Sequence, residues 1–162
     1  IACSHQSMFE TFFLQTIFNS PVFILKKELL EIPIFGMYLK KIGSISIDRD
    51  KTTKENLGFF DKIKSTVDSS NRPIIIFPQA SRMPADDRNP FKKGVGRIYE
   101  KLGIKCQPVA INSGNVWPKN GKLKSNQIIT VSILKEIEPG IENKKFINII
   151  QNNIYNELDK IT

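Results

Sequence analysis

The chain has few of the residues that build the commonest catalytic centres. Among 162 residues there is one histidine, His5, and there are two cysteines, Cys3 and Cys106, far apart in sequence. Without a C-x-x-C spacing, neither a disulfide framework nor a zinc site is expected, and a reducing compartment is the default. No G-x-S-x-G motif supplies a nucleophilic serine. Long apolar runs are also missing, since a bilayer span needs about 18–20 residues. The nearest, Met8 to Leu25, is interrupted by Glu10, Gln15, Asn19 and the helix-breaking Pro21. There is no internal repeat, low-complexity segment or linker, and the length suits one domain over residues 1–162. The sequence opens at Ile1 directly in apolar sequence, with no charged leader, so a longer protein with a preceding N-terminal segment is expected.

Negative charge is scarce too. Twenty-four Lys and Arg against sixteen Asp and Glu give a net charge of +8. Such a balance favours anionic partners: phosphorylated metabolites, an anionic membrane surface or nucleic acid. The lysines are scattered, with few aromatic residues between them, so nucleic acid is the weakest of these and is not expected. Phe9, Phe12, Phe13, Ile17 and Phe18 form a broad apolar face at helical spacing, which suits either an ordinary core or a membrane-facing surface.

What is present is a globular body, with 40% hydrophobic residues and eleven Phe. Strands are expected at the chain start through Ser4, at Val22–Lys26, Ser44–Ile47, Ile104–Ile111 and Ile128–Ile133. Ile74–Phe77, a continuous apolar run, reads as a central strand buried on both faces. Helices are expected over Gln6–Phe18, after the capping box Thr52-Thr53-Lys54-Glu55, over Phe91–Leu102, and at the C-terminus. There Ile147, Ile150, Ile154, Leu158 and Ile161 recur at helical steps. Alternating strands and helices predict an α/β layered domain, with a mostly parallel central sheet flanked by helices.

In such sheets, function gathers in loops beyond the carboxyl ends of strands. Three segments leave expected strands carrying useful polar groups: His5 with Glu10, Asp48-Arg49, and Pro78-Gln79-Ala80-Ser81-Arg82. A turn into a helix near Ser7 can bring Glu10 back under the imidazole. A carboxylate on one ring nitrogen fixes the tautomer and leaves the other free to take a proton, most simply from a substrate hydroxyl. The arginine fork suits a phosphate dianion, and Lys92 and Lys93 lie close by in sequence.

In order and spacing these blocks resemble the lysophosphatidic acid acyltransferase family, the PlsC-like group of glycerolipid acyltransferases. Its first block is a His, four residues, then an acid, matched by His5 and Glu10 with the longer acid. The second is a Gly-led strand ending in Arg, matched by Gly43-Ser44-Ile45-Ser46-Ile47-Asp48-Arg49. The third, Phe-Pro-Glu-Gly-Thr-Arg, meets Phe77-Pro78-Gln79-Ala80-Ser81-Arg82, departing at Gln79 and Ala80. The fourth, a strand around a proline, meets Gln107-Pro108-Val109-Ala110-Ile111. His5-Gln6-Ser7, with Phe91-Lys92-Lys93-Gly94 through Trp117-Pro118, looks like the bacterial branch whose first block ends in Glu.

The resemblance implies a single acyltransferase catalytic domain that moves a fatty acyl group from acyl-CoA or acyl carrier protein to the sn-2 hydroxyl of lysophosphatidic acid, giving phosphatidic acid; the departures at Gln79 and Ala80 suggest as an alternative an inactive relative, and the basic surface a non-catalytic module that binds anionic lipid. It implies His5 as general base, Glu10 as its orienting partner, and Arg49, Gln79, Ser81, Arg82, Lys92 and Lys93 around the phosphate head group, with Pro108 at the acyl site. It implies no metal and no bound cofactor, a lysophospholipid acceptor, and residence on the cytoplasmic face of a bacterial inner membrane. Ala80 in place of glycine is expected to resist positive φ.

Overall fold

The computed structural model describes residues 1–47 and 57–161. The chain divides into two compact units, one made of residues 1–14 and 77–162, the other of residues 15–76.

The first unit is built on a three-stranded sheet of order β1-β5-β6. Strand β1 (Ala2–Cys3) runs parallel to β5 (Pro108–Ile111), with Ala2 opposite Pro108 and Cys3 opposite Val109. Strand β6 (Val131–Ile133) pairs antiparallel to β5. Every residue of β5 is buried, as its unbroken apolar run requires. Helix α6 (Asn143–Ile161) closes this core with Phe146, Ile150, Ile154 and Leu158, all fully buried at four-residue steps. The face is therefore centred on Phe146 and not on Ile147, which is half-buried; steps of four from Ile150 lead back to 146. Helix α4 (Lys93–Leu102) lies against α6, with the Tyr99 and Phe146 rings stacked 3.6 Å apart. Gly96 makes that approach possible, because a Cβ there would meet Asn143 Oδ1 at 2.2 Å. Gly103, at φ +60°, ends α4 in the left-handed conformation.

The second unit has three parallel strands in the order β3-β2-β4. Strand β2 (Val22–Lys26) takes the middle place, between β3 (Ile45–Ile47) and β4 (Ile74–Ile75). The middle position thus belongs to β2. The run at Ile74 is buried as expected, but its strand is shorter than the Ile74–Phe77 read from the sequence. Helices α2 (Phe35–Lys41) and α3 (Leu57–Ser70) complete the unit. Arg72 ties it together, donating to the carbonyls of Ser20 and Ile42, each at 2.6 Å. The expected capping box at Thr52–Glu55 and the pair Asp48-Arg49 lie outside the described residues. Parallel strands flanked by helices make the chain an α/β protein. Among the described residues, no helix is long and apolar enough to cross a membrane.

Candidate active site

The site begins where β1 ends. The Ser4 N–H donates to Val109 O at 3.0 Å. Its hydroxyl accepts from Ile111 N at 2.8 Å and donates to Ile111 O at 3.2 Å. This clamp fixes the backbone as it leaves the sheet, and His5 emerges at the carboxyl ends of β1 and β5.

Helix α1 (Phe9–Ile17) starts immediately beyond, and Ser7-x-x-Glu10 forms its capping box. Ser7 Oγ accepts from Phe9 N at 3.2 Å, while the Glu10 carboxylate accepts from Ser7 N at 2.9 and 3.0 Å and from Gln6 N at 3.0 Å. The same carboxylate lies at the positive end of the helix dipole. Glutamate, one methylene longer than aspartate, has the reach for this return to the cap. The Ser113 hydroxyl, on the short helix α5 (Ser113–Val116), also donates to Glu10 Oε1. A wholly buried carboxylate (0% exposed) is tolerable only with such a set of donors.

Glu10 Oε2 stands 3.2 Å from His5 Nδ1. The anionic acceptor puts the ring proton on Nδ1, so Nε2 carries the free lone pair. No described residue hydrogen-bonds Nε2. The ring is 16% exposed and stacks on Phe77, with centroids 3.9 Å apart and planes 15° from parallel. The backbone of His5 is held as firmly. Its N–H donates to Gln79 Oε1 at 2.9 Å, and its carbonyl accepts from Met83 N at 2.9 Å. Gln6, also buried, spans to the α5 start, where its Oε1 accepts from Gly114 N at 2.9 Å. A base oriented from one side and open on the other is the arrangement that proton abstraction needs.

Gln79 joins this base to a pocket of about 520 Å³, lined by Gln79, Ser81, Met83, Asn89, Pro90, Phe91, Lys92 and Lys93. Both lysines are exposed, so the pocket presents positive charge and amide and hydroxyl groups, a chemistry suited to a phosphate. Tyr155 stands behind it, its hydroxyl donating to Asn89 O. Burial pushes that hydroxyl up to about 12, the Asp87 charge adding to the effect while Gln79 and Arg88 oppose it.

The structure therefore brings His5, Glu10 and Gln79 into one hydrogen-bonded cluster, and places Ser81, Lys92 and Lys93 with Gln79 around the pocket. Arg82 is half-buried, has no ion-pair partner among the described residues and does not line the pocket. Arg49 lies outside the described residues. Pro108 is buried at the start of β5, at the opposite end of that strand from Ile111 and the Ser4 clamp. Ala80 does adopt positive φ, at +65°, in the turn closed by its N–H to Phe77 O at 2.9 Å. The backbone there follows the shape a glycine would take, at a steric cost for alanine of about 1–2 kcal/mol. Ser113, Phe77 and Tyr155 are contributors that sequence reading missed, because distant segments supply them. Ser7 was within reach, through its S-x-x-E spacing with Glu10.

Comparison with known proteins gives consistent matches. Residues 1–112 match the family model described as Acyltransferase. A 1-acyl-sn-glycerol-3-phosphate acyltransferase of Pseudomonas aeruginosa is 35% identical over 133 residues, covering 82% of this chain and 51% of that protein. One from Helicobacter pylori is 39% identical over 120 residues, covering 72% and 50%. The chain thus spans about half the length of the curated relatives it matches. The crystal structure of the 1-acyl-sn-glycerophosphate acyltransferase PlsC from Thermotoga maritima superposes with a TM-score of 0.77 at 21% identity, covering 98% of this chain and 64% of that one. At that identity the likeness establishes the fold.

Proposed function

Because the chain belongs to the acyltransferase family, we propose that it transfers a fatty acyl group from a thioester, acyl-CoA or acyl carrier protein, to the sn-2 hydroxyl of lysophosphatidic acid. The observation that carries the reading is the His5 ring, held by a buried carboxylate at Nδ1 and unpartnered at Nε2. Nε2 takes the proton of the acceptor hydroxyl as its oxygen attacks the thioester carbonyl. Glu10 stabilises the imidazolium that forms. The tetrahedral intermediate collapses, the C–S bond breaks, and the departing sulfur takes the proton back from Nε2. The products are phosphatidic acid and the free thiol. Positioned proton transfer of this kind contributes roughly a hundred- to ten-thousand-fold in rate.

The head group fits the pocket beside Gln79. Lys92 and Lys93 supply positive charge there and Ser81 and Gln79 supply hydrogen bonds; Arg82, outside that lining, and Arg49, outside the described residues, join the phosphate-binding set on the family motif alone. The chemistry uses these residues and the thioester alone, without a metal or a bound cofactor. Acceptor and product are both bilayer lipids, so on this reading the protein works at a membrane surface, and we assign it to the cytoplasmic face of a bacterial inner membrane.

Mass-spectrometric product analysis tests the reading. A panel of lysophospholipids is offered with acyl-CoA and with acyl carrier protein as donors. The expected result is phosphatidic acid formed in step with free thiol, with lysophosphatidic acid preferred. Free fatty acid without a diacyl product would identify a thioester hydrolase instead, and no turnover with any pair would overturn the reading.

A further inference from the structure

A second surface stands out from the rest of the chain. Between Ser113 and Lys135 there is no Asp or Glu, while Lys119, Lys122 and Lys124 fall within six residues. None of the three makes an ion pair with any described residue. The nearest acids along the chain, Glu136 and Glu138, are already taken by Lys105, at 3.3 and 3.2 Å. Apolar residues of the same stretch are exposed as well: Trp117 is 38% exposed, Leu123 68% and Ile128 81%. The stretch from Trp117 to Ile128 thus combines unpaired cations with exposed apolar groups.

The loop is a built structure. Trp117 N donates to Ser113 O at 2.8 Å, Gly121 N to Pro118 O at 3.3 Å, and Lys124 N to Val116 O at 2.8 Å. Gly121 sits tight on Pro118, where a Cβ would meet the ring at 2.5 Å. The bond from Lys124 N to Val116 O closes the base of the loop, the chain turns at Pro118–Gly121, and Leu123 stands exposed beside that closure. That base is also tied to the catalytic cluster, since Ser113 donates to Glu10 and Gly114 to Gln6.

We propose that the loop from Trp117 to Ile128 docks the protein on an anionic phospholipid bilayer, with Leu123 and Ile128 entering the headgroup–acyl boundary, Trp117 at the interface, and Lys119, Lys122 and Lys124 against lipid phosphates. Charge complementarity selects an anionic surface. The exposed aliphatic groups select lipid over nucleic acid, whose single strands are bound through stacked aromatic platforms. An indole, apolar in body and polar at its N–H, suits the bilayer boundary. The docking goes beyond the acyl-transfer reading and does not depend on it, because vesicle binding is measured without turnover.

Trp117 is the only tryptophan in the chain, so its emission reports on this loop alone. Vesicles of phosphatidylcholine with and without phosphatidylglycerol are titrated at low salt. The expected result is a blue shift with the anionic vesicles, quenching by bilayer-embedded brominated lipid, and weakening as salt rises. Lys122→Glu with Lys124→Glu is expected to lower partitioning by more than about twenty-five-fold, at roughly fivefold per lysine removed. Leu123→Ser with Ile128→Ser is expected to abolish the blue shift. Far-UV circular dichroism, and acyl transfer to lysolipid dispersed in neutral detergent, are expected to stay as in the unaltered protein. Unchanged Trp117 emission when the protein sediments with vesicles, equal binding to neutral vesicles, or both variants partitioning like the parent would overturn the proposal.

Discussion

Replacing Glu10 with Gln removes one charge, with little change of shape, at the point where the site is most constrained. Glu10 Oε1 receives Gln6 N, Ser7 N and the Ser113 hydroxyl, so the amide oxygen of the variant takes that place. The amide NH2 then falls at the Oε2 position, 3.0 Å from Ser7 N and 3.2 Å from His5 Nδ1. Donor faces donor at the imidazole unless the ring moves its proton to Nε2 and offers Nδ1 as acceptor. That relieves the clash but blocks the nitrogen that must accept the hydroxyl proton. An equivalent tautomer error in a serine-protease triad lowers kcat about ten-thousand-fold, and general-base catalysis is worth about a hundred- to ten-thousand-fold. The expected fall in kcat is therefore about a thousand- to ten-thousand-fold. Losing charge-assisted hydrogen bonds costs about 1.5–3 kcal/mol of stability, which a domain of this size should survive. Thiol release from acyl-CoA measures the rate. With a single histidine in the chain, the imidazole 15N spectrum reports its tautomer without overlap. A Glu10→Gln protein within tenfold of the parent rate, or with Nδ1 still protonated, would refute this account of the dyad.

Other consequences concern neighbouring residues. Ala80→Gly should raise stability by about 0.5–1 kcal/mol, the relief of left-handed strain exceeding the added freedom of the unfolded chain; a urea melt shifted the other way would contradict this. Gln79→Glu keeps an acceptor for the His5 N–H, so kcat should stay within about threefold. A drop beyond tenfold would show that the neutral amide is essential to this pocket. Burial, followed by the Glu10 charge, pushes the Cys3 thiol well up, and burial likewise raises Cys106. A raised value means less thiolate at pH 8, so native alkylation should be slow at both and fast after unfolding; rapid native labelling would refute that burial.

Local pattern carried much of the fold. Val22–Lys26 appears as β2 with the bounds expected, because a short run of β-branched and aromatic residues has few other uses. The α6 stripe was legible in period but its face was displaced toward Phe146, since Ile147 and Phe146 are equally apolar neighbours and only packing against Tyr99 decides between them. The His5–Glu10 contact was readable from spacing, and the Ser7–Glu10 box accounts for its geometry. Ser113 could not be found in this way. Its bond to Glu10 joins residues 103 apart, and no local period encodes a contact made by bringing two strand ends together. The Phe77 ring beneath His5 is hidden for the same reason.

The most direct measurement compares His5→Ala with the parent protein in forming phosphatidic acid from lysophosphatidic acid and a thioester, with circular dichroism and Trp117 emission confirming the fold. The account predicts a loss of at least about a hundred-fold in kcat, the lower bound for a positioned general base, with little change in KM. A folded His5→Ala protein that turns over within a few-fold of the parent would contradict it.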